Sequence, residues 1–156
     1  MFRKILVPYD DSKDAENALN KAVYLAKLIS GSEVVILNVI NKIKTPPVIF
    51  DKKVRNYKTR EATTLSNYLR DLQKDARYKM INRLDELKRK YQNSVQIRTL
   101  VFVGRPEVKI VEYANNQNVD LVVMGSRRLK GISRLIMGSV SRSVSEKVNC
   151  TVMIVR

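Results

Sequence analysis

Residues 120–141 read DLVVMGSRRLKGISRLIMGSVS, and this stretch decides the fold because a basic, glycine-bearing loop joins a strand to a helix. Residues 120–124 form a short apolar run typical of a buried strand, and residues 140–148 have the pattern of a helix. Glycine lets a backbone approach a ligand closely, and the first free N–H groups of a helix point at an anion. The loop therefore predicts an anion site, and our hypothesis is that it holds the phosphates of a nucleotide. Its glycines and cations are Gly125, Gly131, Gly138, Arg127, Arg128, Lys130, Arg134 and Arg142.

Length and composition bound the class of protein. The 156 residues, 44% hydrophobic and 29% charged, suit one globular unit, so we expect a single domain over residues 1–156. No apolar run approaches the ~18 residues that a membrane span needs, and the N-terminus lacks a signal-peptide pattern. Cys150 is the only cysteine, which excludes an internal disulfide. We therefore predict a cytoplasmic protein with no membrane partner.

The net charge of +15 is concentrated in two segments. Residues 1–40 carry five Lys/Arg and five Asp/Glu, whereas residues 41–100 carry sixteen and six. Residues 101–156 carry nine and four, an excess equal to the five cations of the glycine loop. A solvated helix face is our first interpretation of residues 41–100, and binding of a nucleic acid or another polyanion ranks second.

Strand and helix patterns alternate along the chain. The predicted strands are residues 2–8, 34–40, 95–103, 120–124 and 151–155, and the predicted helices lie near residues 15–29, 65–91, 107–114 and 140–148. Thr45, Pro46 and Pro47 forbid a helix, so residues 41–58 predict a surface excursion that could be mobile. The alternation predicts an α/β doubly wound domain with a parallel sheet and helices on both faces. Ligands of such sheets bind outside the carboxyl ends of the strands, where the strand order reverses.

Further motifs accompany the loop. Residues 5–12 read ILVPYDDS, Gly104-Arg105-Pro106 precedes the third helix, and Met124-Gly125-Ser126 is matched by Gly138-Ser139-Val140-Ser141. With these motifs the chain resembles the universal stress protein family over nearly its whole length. Nucleotide-binding members carry a glycine, two residues, a glycine, nine residues, and a glycine followed by Ser or Thr. Gly125 fills the first place and Gly138-Ser139 the last, whereas Arg128 stands at the second.

The resemblance implies an open five-stranded parallel sheet in the order 3-2-1-4-5, of the adenine-nucleotide alpha-hydrolase-like kind. It also implies binding of ATP or a related adenine nucleotide. The adenine and ribose would rest near Pro8, Tyr9, Asp10 and Val39. The phosphates would rest on Met124, Gly125, Ser126, Arg127, Arg128, Gly138, Ser139, Val140 and Ser141.

Two residues of this set leave alternatives open. Asp10 could accept a hydrogen bond from a ribose hydroxyl or help to hold Mg²⁺, or it could be a helix N-terminal acid that the dipole favours. Arg128 would hinder binding if its position needs a positive φ or close approach to phosphate. If the loop is open, its guanidinium could instead clamp the phosphates.

The chain lacks two features that are common in enzymes. It contains no histidine, which removes the commonest general base, and it has no P-loop ending in Gly-Lys-Ser/Thr. We therefore predict a binding or signalling module, with slow hydrolysis of ATP left open. Thr151–Val155 would form an apolar sheet edge, and family members resembling this chain pair through their last strand. Both arguments predict a homodimer.

Overall fold

The computed structural model describes residues 1–126 and 137–156, and the predicted strands and helices are found there. In chain order the described elements are β1 (Lys4–Pro8), α1 (Lys13–Leu28), β2 (Glu33–Ile40), a 3-10 turn (Val48–Phe50), β3 (Lys53–Arg55), β4 (Ala62–Thr64), α2 (Leu65–Tyr91), β5 (Gln96–Val103), α3 (Pro106–Asn116), β6 (Leu121–Gly125), α4 (Ser139–Lys147) and β7 (Thr151–Val155).

The central sheet has the order β5-β2-β1-β6-β7, with every neighbouring pair parallel. Numbering these five strands along the chain turns the order into 3-2-1-4-5, which confirms the predicted fold. The apolar runs of these strands are typical of such a sheet. A strand that is covered on both faces has no side chains that face water, so apolar and polar residues do not alternate along it. Leu6 and Val35 are fully buried on one face, as are Ile5 and Ile36 on the other.

Two helices cover each face of the sheet. α1 and α2 pack on one face, where the alanines of α1 allow close approach and Leu84 and Leu87 of α2 complete the cluster. α3 and α4 pack on the other face through Ile110, Ala114 and Val144. The apolar stripes read from the sequence are therefore the buried faces of these helices.

Predicted boundaries differ from the observed ones by at most two residues, and Asp120, just before the start of β6, gives one physical reason. Its Oδ2 accepts hydrogen bonds from the backbone N–H groups of Arg3 and Lys4, both at 2.8 Å. The carboxylate thus ties the start of β1 to the start of β6, and the ladder of β6 begins one residue later at Leu121.

An antiparallel hairpin, β3–β4, lies between β2 and α2, and sequence reasoning did not predict it. Its strands have only three residues each, which is too short for an alternation of polar and apolar residues to be distinguished from chance, so the local pattern carries almost no signal. Contacts with α2 hold this region: the Ile43 N–H donates to Gln73 Oε1 at 3.0 Å, and Lys58 pairs with Asp75.

No helix among residues 1–126 and 137–156 is long and apolar enough to cross a membrane.

Candidate functional site

The carboxyl ends of β1 and β6 lie side by side, because these two strands pair directly through Ile5–Leu121 and Leu6–Val122. Beyond β1, the Tyr9 N–H donates to the Leu37 carbonyl at 2.9 Å. The strand order reverses between β1 and β6, which is where doubly wound sheets bind ligands. Two predicted site segments, residues 8–10 and 124–126, therefore leave the same edge of the sheet.

Gly125 ends β6 against the first turn of α1. A Cβ placed on Gly125 would lie 2.7 Å from both the carbonyl carbon and the Cβ of Asp14, which real Cβ atoms do not approach so closely. Close helix packing alone therefore requires glycine here. From the sequence we assigned this glycine to ligand approach, and the geometry supplies a packing reason independent of any ligand.

Ser126 lies at the same edge of the sheet, directly after Gly125. Its backbone N–H donates to the Val155 carbonyl at 2.9 Å, which extends the β6–β7 ladder. The residue is 4% exposed, yet its Oγ has no hydrogen-bond partner among the described residues. A buried polar atom without a partner is costly, so Ser126 Oγ is a natural contact for a polar ligand atom.

The N-cap residue of α4 provides no side-chain cap. Gly138 occupies the N-cap position with φ −61° and ψ 155°, and it has no side chain with which to bind the first N–H groups. The N–H groups of the first turn, at Ser139, Val140 and Ser141, suit an anion by their direction and by the helix dipole. Topology puts this helix start at the carboxyl edge, because α4 crosses back from β6 to the parallel β7.

The serine hydroxyls of this turn have different environments. Ser141 is 3% exposed, and its Oγ donates to the Gly138 carbonyl at 3.0 Å. The hydroxyl proton of Ser141 is therefore already used in a hydrogen bond within the helix. Ser139 is exposed. Of the two hydroxyls expected at a phosphate, that of Ser139 is the more accessible.

Asp10 organises the turn between β1 and α1. Its Oδ1 accepts hydrogen bonds from the Ser12 N–H at 3.2 Å and from Ser12 Oγ at 2.5 Å. Ser12 Oγ in turn accepts from the Ala15 N–H at 3.2 Å as the N-cap of α1. Asp10 is exposed at the carboxyl edge while it holds this cap in place.

Tyr9 points its ring into the core rather than to the edge. The residue is 3% exposed, and its hydroxyl donates to Asp11 Oδ1 at 3.0 Å. Arg83 of α2 donates its Nε–H to the same oxygen at 2.9 Å, and Asp11 has φ +61°, a left-handed value. Burial, reinforced by Asp11, raises the pKa of Tyr9 to about 12. Only the Tyr9 backbone can therefore contact a ligand at this edge.

Asn38 is a polar residue of the site region that sequence reasoning missed. It is 5% exposed in β2, and its Nδ2 donates to the Tyr9 carbonyl at 2.7 Å, while its Oδ1 has no partner among the described residues. The signal was present, since Asn38 is the only amide in the apolar run 34–40. The next residue, Val39, is half-buried and packs on the α3–α4 face.

Two predicted phosphate ligands, Arg127 and Arg128, fall in residues 127–136, which lie outside the described residues. Whether Arg128 clamps a phosphate or hinders it stays open.

A five-stranded parallel sheet with helices on both faces defines a doubly wound α/β protein, in which the point of strand-order reversal lies between β1 and β6. The chain belongs to the universal stress protein family, whose model matches residues 1–156.

Two curated relatives align with the whole chain. A universal stress protein of Bacillus subtilis is 31% identical over 166 residues, which cover 100% of each protein. One of Methanocaldococcus jannaschii is 29% identical over 167 residues, which cover 100% of this chain and 96% of the relative.

Solved structures of the family share the fold. The universal stress protein UspA of Lactobacillus plantarum superposes with a TM-score of 0.79 at 21% identity, covering 99% of this chain and 98% of its own. A universal stress protein in complex with cAMP has a TM-score of 0.67 at 19% identity, with coverage of 99% and 97%. An Arabidopsis thaliana family protein with AMP bound has a TM-score of 0.59 at 14% identity, with coverage of 97% and 90%.

Proposed function

We propose that this protein binds an adenine nucleotide such as ATP at the carboxyl edge between β1 and β6. The observation that carries the proposal is the N-terminus of α4, whose N-cap residue, Gly138, has no side chain to occupy the first N–H groups of the helix, which suit an anion. The buried Ser126 Oγ, which has no hydrogen-bond partner among the residues that the structure describes, supports it. So do two family members of the same fold, one in complex with cAMP and one with AMP bound.

In this proposal the two ends of the nucleotide meet different elements. The base and ribose lie by Pro8, the Tyr9 backbone, Asp10 and Val39. The phosphates lie on the loop from Met124 and on the first turn of α4, in residues 138–141. The main-chain N–H groups act as phosphate donors, and the Ser126 and Ser139 hydroxyls add to them.

A Mg²⁺ ion fits this arrangement only together with the phosphates. Among the described residues there is no group of three or more His, Cys, Asp or Glu side chains that could hold a metal. The exposed Asp10 carboxylate could supply one oxygen ligand, and phosphate oxygens would have to supply others.

We propose a binding or signalling module rather than an enzyme, because the chain has no histidine to act as a base at this edge. Nucleotide occupancy would then act by altering contacts with a partner or with a second copy of the chain. Such an effect requires the occupied and empty states to differ in partner affinity.

Differential scanning calorimetry with ATP, ADP, AMP and cyclic AMP, each with and without Mg²⁺, tests the proposal. A nucleotide at 100 times its dissociation constant should add ~2.7 kcal/mol to the free energy of unfolding. The Ser126→Ala variant should keep its unliganded midpoint and show a smaller shift. Ser145→Ala, on the exposed side of the same helix α4, should behave as the wild type. Absence of any shift at millimolar nucleotide overturns the proposal.

A further inference from the structure

Three consecutive apolar side chains point into solvent ahead of α2. Val48, Ile49 and Phe50 form the 3-10 turn and are 91%, 83% and 63% exposed. We name these three residues the apolar tip. Single exposed apolar residues are ordinary, but a contiguous exposed group marks a surface that meets another molecule.

Hydrogen bonds on both sides of the apolar tip hold it in this conformation. The Phe50 N–H donates to the Pro47 carbonyl at 2.8 Å, and the Asp51 N–H donates to the Val48 carbonyl at 3.2 Å. Asp51 Oδ1 then accepts the Ser66 N–H at 2.8 Å, which fastens the turn to the start of α2. The side chains are therefore presented outward by a closed turn.

The apolar tip lies far from the core of the protein. α2 passes the carboxyl edge of the sheet where Arg83 meets Asp11, just beyond β1. From that contact to its first residue, Leu65, the helix runs for ~27 Å at ~1.5 Å per residue. Of the residues on this stretch, only Ser66 is buried, so α2 carries the tip outward on a projecting arm.

Cations flank the apolar tip on both sides in the sequence. Lys53 and Arg55 lie on one face of β3, and both are exposed. The acids of residues 41–64 are two: Asp51, which is bound to the helix start, and Glu61. Six exposed cations of this segment form no ion pair with described residues, and we name them the basic collar: Lys42, Lys44, Lys52, Lys53, Arg55 and Arg60.

We propose that the apolar tip and the basic collar form a docking surface for an anionic lipid membrane, bound peripherally. Apolar side chains can enter the boundary between headgroups and acyl chains, and cations are attracted to the phosphates of anionic lipids. The strength of surface binding grows with both the buried apolar area and this attraction. Peripheral binding requires no spanning helix, and none is found among the described residues, so this proposal departs from the predicted absence of a membrane partner without requiring a membrane span. It is independent of the proposed nucleotide site.

Other occupants fit the surface less well. Phe50 is the only ring of the apolar tip, whereas single-strand binders stack successive bases on several rings, and the ring of Tyr57 on the same arm already packs edge-on against Tyr68, with centroids 6.2 Å apart. A second copy of the chain would bring a net charge of +15 to a basic surface. Charge complementarity and aliphatic character together favour lipid.

A single tryptophan reports directly on the apolar tip, since the chain contains none. In Phe50→Trp, the emission should shift to the blue with phosphatidylglycerol–phosphatidylcholine vesicles and stay unchanged with phosphatidylcholine alone. Tyr24→Trp, at a residue 61% exposed on α1, is the matched control and should show no shift with either. The absence of a blue shift in Phe50→Trp with anionic vesicles overturns the proposal.

Sedimentation with the same vesicles separates the two parts of the surface. Ile49→Ser/Phe50→Ser should abolish sedimentation, whereas Leu28→Ser, at an exposed leucine of α1, should not. Each cation near an anionic surface contributes about fivefold, so Lys53→Gln/Arg55→Gln should weaken partitioning roughly 25-fold. These variants alter exposed side chains only, and calorimetry checks that their unfolding midpoints are unchanged.

Two further outcomes overturn the proposal and name the occupant. Tight binding of a single-stranded oligonucleotide without any vesicle response assigns the basic collar to nucleic acid. A blue shift of Phe50→Trp that grows with protein concentration in buffer alone, with a matching rise in mass, assigns the apolar tip to a second copy.

Discussion

At Gly125 the backbone of β6 touches the backbone of α1, and this contact explains the residue better than a ligand does. The carbonyl carbon and Cβ of Asp14 leave no space for a side chain. The neighbouring Ser126 is the opposite case, because its buried Oγ forms no hydrogen bond with any described residue. Gly125 therefore serves packing, whereas binding is the role that we propose for the adjacent Ser126.

We expect Gly125→Ala to destabilise the protein by about 1–3 kcal/mol, because the added Cβ forces α1 away from β6. Urea unfolding measures the loss. Ser126→Ala is the control and should cost little, since its hydroxyl has no described partner to lose. Equal midpoints for Gly125→Ala and the wild type would contradict the packing argument.

Because of Tyr9, the free energy of unfolding depends on pH in the alkaline range. Burial raises its pKa from 10.0 to about 12, so the unfolded chain loses this proton at lower pH than the folded protein does. Its contribution to stability is fully present below pH ~10 and is lost as pH rises towards ~12, on the order of 2 kcal/mol in total.

Tyr9→Phe removes this titration while keeping the ring. Wild-type protein should therefore lose more stability than Tyr9→Phe between pH ~9 and ~11.5, measured by urea unfolding at each pH. Tyr24→Phe, at an exposed tyrosine, should follow the wild type. Parallel losses in the wild type and Tyr9→Phe would show that the Tyr9 hydroxyl does not carry the effect.

Among the elements, α2 divides into a core half and an outer half. Leu84 and Leu87 are buried, and Met80 is the most N-terminal residue of α2 to pack on the cluster beneath α1. Towards its start the helix serves the arm instead, with Thr64 as its N-cap. One amphipathic pattern thus covers two environments that the sequence does not distinguish.

Truncation of one leucine in each half tests this division. Leu84→Ala should cost about 2–5 kcal/mol, because Leu84 is 1% exposed and leaves a cavity in the core. Leu72→Ala removes a half-buried side chain and should cost about 1 kcal/mol. Both are read from urea midpoints, and equal costs would show that the outer half is packed as tightly as the inner one.

At the scale of the whole molecule, the free edge of β7 is the predicted dimer contact. β7 pairs with β6 on one side and with no described strand on the other. If Thr151–Val155 pairs with its twin along its whole length and antiparallel, Met153 lies at the centre and faces its own copy. Like charges placed directly opposite each other destabilise such a pair.

Met153→Lys should therefore shift a dimer towards monomer, measured by light scattering at tens of micromolar. Tyr24→Lys adds the same charge on α1 and should leave the mass unchanged. A monomeric wild type, or a dimeric Met153→Lys, would contradict pairing through this edge.

Local pattern alone located the five strands of the sheet and its four helices, because apolar runs and 3.6-residue stripes report burial directly. The order of the strands came from the family resemblance, since no local signal encodes which strands are neighbours. That residues 41–58 form a mobile excursion stays a prediction.

The sequence by itself determined the α/β alternation, the apolar faces and the glycine motif at residues 125 and 138. Only the tertiary structure decided that Gly125 meets Asp14, that Asn38 reaches the Tyr9 carbonyl, and that β3–β4 packs on α2. The pairing of Asp11 with Arg83 joins residues 72 positions apart. Such contacts depend on which elements pack together, and that choice is made by the burial of whole helix and strand faces rather than by local sequence.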